Sequence, residues 1–154
     1  MNEEKWKKEL NRYFEDLRII EKCQQEAREH FDQFCEFIVE PALETLEEEL
    51  KARGIKIKYF REKDKFIHLQ INFPHSKADN FHYRLILPPN SLDLKLVLKT
   101  AGRKNKKSPL VEKERPFLPD VKPEEILKLT KDDIIFDIID KLKEFNYAAR
   151  TSPD

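Results

Sequence analysis

The chain has 154 residues, which fits one domain and leaves little room for two. Charged residues make up 39% and hydrophobic residues another 39%, yet 30 Lys+Arg balance 30 Asp+Glu and aromatics reach 10%, so the composition describes a folded domain with a modest core rather than a disordered chain. Gly54 and Gly102 are its only glycines, which excludes a Gly-rich phosphate cradle, a dinucleotide fingerprint and a nucleophile elbow.

The first residues, Met1-Asn2-Glu3-Glu4, open a charged helical pattern without the apolar stretch of a secretory leader, and no apolar run reaches the ~18 residues that span a bilayer. Cys23 and Cys35 fall in one helical pattern about 18 Å apart along its axis, too far to bridge within a straight helix. A cytoplasmic protein with reduced cysteines and no membrane segment is the expectation.

Residues 3–53 read as helix with one interruption. Trp6, Leu10, Tyr13, Leu17, Ile20, Ala27, Phe31, Phe34 and Ile38 recur in steps of four and three, with Gln24 in the one polar slot, a spacing close to a coiled-coil heptad. Pro41 lacks an amide hydrogen and crowds the preceding turn, which predicts a kink or break near Glu40. Leu43, Leu46 and Leu50 continue the helix, and Gly54 supplies a left-handed stop.

Four segments of strict alternation follow: Ile55-Ile57-Tyr59, Ile67-Leu69-Ile71-Phe73, Phe81-Tyr83-Leu85-Leu87 and Leu92-Leu94-Leu96-Leu98. Joined by short polar links, they predict a four-stranded antiparallel meander over residues 55–99 with one buried face. Residues 100–122 hold Pro109, Pro116 and Pro119 and little periodicity, and read as a long basic and Pro-rich loop. Pro123 suits the first position of a short helix, and Thr130 with Asp133 resembles a capping box ahead of a helix carrying Ile134, Ile135, Ile138, Ile139, Leu142 and Phe145. The expected architecture is a single α+β domain over residues 1–148, with a helical arm (1–53), a sheet (55–99), a loop (100–122) and C-terminal helices packed on one face of the sheet (123–147). Residues 149–154 are expected to be a frayed tail.

The first forty residues, as one helix, measure about 55–60 Å, longer than a sheet of ~6-residue strands can cover. Part of the rod must overhang, leaving Trp6, Leu10, Tyr13, Leu17 and Ile20 as an apolar interface for another chain; a homodimer is the simplest such partner.

Zero net charge hides segregation. Residues 1–50 carry 7 basic and 15 acidic residues, residues 51–107 carry 15 and 4, and residues 108–154 carry 8 and 11. Lys56, Lys58, Arg84, Lys95 and Lys99, with Phe60, Phe66, His68 and His82, share the parity of the solvent face of the sheet, and Arg103, Lys104, Lys106 and Lys107 form a basic tip. Cations interleaved with aromatics can hold an anion or single-stranded nucleic acid. Against this stand an ordinary solvated sheet face and the lack of an RNP-type motif.

No catalytic constellation, cofactor motif or metal-ligand set is legible. Pairing Phe73 near Phe81 would hold His68 and His82 about two residue pairs apart. Asp133, Asp137 and Asp140 lie along one side of the last helix, beside Lys141 and Lys143, as a solvated face. The function expected is a non-enzymatic interaction and oligomerisation domain, with nucleic-acid binding as the alternative.

Overall fold

A computed structural model describes residues 2–74 and 80–151. The helical arm comprises α1 (Asn2–Phe34), one π turn (Cys35–Val39) and α2 (Glu40–Lys51). Pro41 is accommodated rather than disruptive. Immediately before it the helix widens by one residue, so that the Glu40 amide donates to the Cys35 carbonyl five residues back, and α2 runs on directly from that turn. The interruption expected near Glu40 is therefore a π turn within a continuous helical path. Gly54, at φ 75°, closes α2, and the Ile55 amide reaches back to the Leu50 carbonyl at 2.9 Å.

Among the described residues the sheet has five strands, not four: β1 (Lys56–Glu62), β2 (Phe66–Asn72), β3 (Phe81–Ile86), β4 (Val97–Gly102) and β5 (Val111–Pro116), antiparallel and in sequence order. Two expectations need correction here. The alternation of Leu92 to Leu98 is real in that Leu94, Leu96 and Leu98 are buried, but only from Val97 does the backbone pair with a neighbour. And the segment read as a loop contains β5, whose sequence Val-Glu-Lys-Glu-Arg-Pro shows no apolar alternation because it is an edge strand with little core to cover. The Arg103–Lys107 tip is the turn that joins β4 to β5.

A 3-10 turn (Pro123–Lys128) starts at the expected proline and leads to α3 (Lys131–Thr151). The capping box forms: the Asp133 carboxylate accepts from the Thr130 amide at 2.9 Å, and the Thr130 hydroxyl accepts from the Asp133 amide at 3.3 Å. α3 continues through Ala149 to Thr151, so residues 149–151 are helical and not the frayed tail expected; residues 152–154 lie outside the described residues.

The helices lie on one face of the sheet and enclose a single core. Phe31, Phe34, Val39 and Leu43 from the arm meet Leu69, Ile71, Leu85 and Leu98 from the strands and Ile126, Ile134 and Ile138 from the C-terminal segment. Arg61 ties β1 to the arm, donating to the Asp32 carbonyl at 3.1 Å and pairing with Glu40 at 3.3 Å. Cys35 is buried in this core, its thiol pushed up to about 12 by burial, and neither cysteine is bonded.

Candidate interaction surfaces

The arm joins the body at about Gln24, whose side-chain amide donates to the Asn90 carbonyl, and Ala27 is its first buried residue. Everything before that point projects. The 22 residues 2–23 extend for about 33 Å at the helical rise of 1.5 Å per residue. Trp6, Leu10, Tyr13 and Ile20 are 52%, 45%, 54% and 41% exposed, and Leu17 is half-buried. Of the five residues read as an uncovered seam, four are thus exposed and Leu17 is partly covered. Phe14 and Ile19, which lie beside or away from that seam, are also exposed. No helix among the described residues is long and apolar enough to cross a membrane.

The outer face of the sheet is ordered in rows by the strand register. One row reads Phe60, His68, Arg84, Lys99, Glu114 from β1 to β5; the next reads Lys58, Gln70, His82, Ala101, Glu112. Phe60 stacks on His68 with ring centroids 5.3 Å apart, and Arg84 lies over the Phe66 ring at 4.4 Å. Arg84 Nε donates to His68 Nδ1 at 2.9 Å, which leaves the remaining imidazole proton on Nε2, facing His82 Nδ1 at 2.9 Å. The two histidines therefore touch. Ile71, not Phe73, pairs with Phe81, and this two-residue shift in register makes His68 and His82 diagonal neighbours. Burial, with the nearby Arg84 charge and His82, depresses His68 to about 4, so it is neutral at physiological pH. No group of three or more metal-ligating side chains converges among the described residues. His75 lies outside them.

The cations expected on this face are only partly brought together. Lys56 and Lys58 lie exposed on β1, Arg84 sits centrally and Lys99 beside it. Lys95 lies in the segment before β4 rather than on a strand, its amide bonded to Asp93. Arg103, Lys104, Lys106 and Lys107 are at the end of β4, toward the Lys56 end of the sheet. The unforeseen β5 adds Glu112 and Glu114 to the same face, and Glu112 pairs with Lys99 at 3.7 Å. The basic face thus has an acidic border.

On the inner side, Asp137 is not on a solvated face. It is 7% exposed, accepts from the Tyr83 hydroxyl at 2.5 Å and pairs with Lys141 at 3.0 Å. The helical spacing of the three aspartates is as read; the aromatic partner comes from β3, 54 residues away, and could not be seen in a local pattern. Burial and the Asp137 charge hold the Tyr83 phenol well above its ordinary value, and it stays protonated. For Lys141, burial opposes the charge but the hydrogen bonds to Asp137 and Asp140 outweigh it, so its pKa is raised. This cluster anchors α3 to the sheet.

Comparison with known proteins gives no match to a family model, to a curated protein or to a solved structure.

Proposed function

We propose that the chain is a cytoplasmic, non-enzymatic interaction domain that pairs with a second copy of itself through residues 6–20 of α1. The observation that carries this reading is the projecting arm, with four large apolar residues of one heptad seam at 41–54% exposure and no covering element among the described residues. A second copy suits it in area. Three to five half-exposed residues, with aromatics carrying 150–250 Å² each, offer roughly 450 Å² of seam per chain and roughly 900 Å² for two, near the lower limit of specific interfaces before flanking side chains are counted.

It also suits it in charge. With Leu10 and Leu17 at heptad position a and Trp6, Tyr13 and Ile20 at d, a parallel pair sets Asp16 beside Glu21 of the other copy, twice. An antiparallel pair layers Leu10 on Ile20 and Tyr13 on Leu17 of the other copy, brings Lys7 beside Glu21 twice, and incurs a single Asp16–Asp16 contact. The antiparallel arrangement is the better one. Sedimentation velocity at tens of micromolar tests the reading, with a dimer expected. Trp6, the only tryptophan, gives a second readout: its emission shifts to the red as dilution separates the copies. A monomer with concentration-independent emission refutes the reading.

A second reading is favoured by one feature, the exposed Phe60 (57%) beside Lys58 and the Arg84 row, which could stack a base and hold its phosphate. A short single-stranded oligonucleotide then binds with strong salt dependence and binding is weakened in Phe60→Ala; salt-independent or absent binding discards it.

A further inference from the structure

The inner face of the sheet is not fully covered. A cleft of about 230 Å³ opens between the second half of α3 and the inner sides of β3, β4 and β5. Its floor is the stacked pair Phe81 and Phe145, centroids 5.4 Å apart, and two small residues of α3, Ala148 and Ala149, leave the space open. Its lining carries the cations Lys104, Lys113, Arg115 and Lys141 and one carboxylate, Glu144.

Glu144 alone accepts from Lys113 at 2.8 Å and from Arg115 at 3.0 and 3.1 Å, and Lys141 is engaged by Asp137 and Asp140. The Arg115 Nε is buried without an acceptor among the described residues. Thr100, 6% exposed and lining the cleft, has no hydrogen-bond partner for its hydroxyl among the described residues. Thr100 pairs directly with Lys113 across β4 and β5, so an unpartnered hydroxyl and an ammonium group bracket one point of the wall, with their Cβ atoms about 5 Å apart. A missing acceptor beside an apolar floor defines the ligand chemically.

We propose that this cleft binds a small amphipathic carboxylate, its apolar part on Phe81 and Phe145 and its head group accepting from the Thr100 hydroxyl and the Lys113 ammonium. Size sets the class. An apolar cavity of about 150 Å³ takes up benzene, so this one accommodates an aryl ring or a chain of about six to eight carbons with its head group. The proposal is independent of self-association, which uses the opposite end of the molecule.

The test is a titration of the ¹⁵N-labelled full chain with octanoate, octanol and acetate as probes. Octanoate is expected to bind saturably, moving the amides of Thr100, Ala101, Ala148 and Ala149. Octanol, which lacks the charge, should bind at least tenfold more weakly, and acetate, which lacks the tail, should not saturate. Thr100→Val and Lys113→Gln should each weaken octanoate about tenfold, and Ala148→Trp should abolish binding by filling the cleft. The proposal is overturned if octanoate gives no saturable shifts, if octanol binds as well as octanoate, or if the shifts map to residues 6–20, which would mean adsorption on the exposed seam. The probe series on the unmodified chain decides the matter even where a variant fails to fold.

Discussion

Replacing Leu10 and Leu17 together by Asp separates the seam from everything else in the molecule. Leu10 is 45% exposed and Leu17 half-buried, and both precede the first buried residue of the arm. Fully burying a leucine contributes about 1.5–3 kcal/mol, so covering the exposed part of each, less than half of the side chain, contributes about 1 kcal/mol. Two positions in each of two copies come to about 4 kcal/mol, which at 1.4 kcal/mol per factor of ten is a loss of roughly a thousandfold in dimer affinity. Carboxylates introduced into an apolar seam add to that loss. The fold of each chain should be untouched, since exposed substitutions away from packed features change stability by about 0.5 kcal/mol or less. The assay is sedimentation together with a thermal melt of the separated monomer. Ile19→Asp is the control: Ile19 is more exposed, at 60%, but points away from the seam, and its replacement should leave the dimer intact. A double variant that remains a dimer, or an Ile19 variant that dissociates equally, refutes the assignment of the seam.

Three further outcomes follow from the packing. His68 is held at about 4 against an ordinary 6.5, so the folded chain takes up this proton later than the unfolded chain; stability is complete above pH 6.5 and declines as the pH falls from 6.5 toward 4, by about 1 to 2 kcal/mol after allowing for solvent screening of a half-buried ring. Urea midpoints at pH 7 and 4.5 should differ less in His68→Gln, and an unchanged difference contradicts the assignment. Asp137→Ala leaves the buried Tyr83 hydroxyl and the Lys141 ammonium without their shared acceptor and should cost about 3 kcal/mol, whereas Tyr83→Phe should cost about 1 kcal/mol; equal costs in chemical denaturation would argue against a buried ion pair. A Cβ on Gly102 would collide with the Phe145 ring, so Gly102→Ala should destabilise by about 1–3 kcal/mol, read as a lower thermal midpoint, and Phe145→Leu should recover part of it.

Much of this architecture is written in local periodicity. The overhanging arm follows from the length of one heptad-spaced stripe against the reach of short strands, and the first three strands and the last helix follow from alternation and capping. Those are properties a residue shares with neighbours two to four positions away. What the tertiary structure decided is what depends on partners far along the chain. An edge strand buries too little to alternate, so β5 carries no local signature, and only its pairing with β4 reveals that Glu112 and Glu114 border the basic face. The register of β2 on β3 is a difference of two residues that keeps every side chain on its own face, so hydrophobic parity cannot detect it, yet it brings His68 against His82. Likewise the apolar side of α3 is visible in sequence, but Asp137 is buried because Tyr83, from a strand, supplies the hydrogen bond that makes burial tolerable.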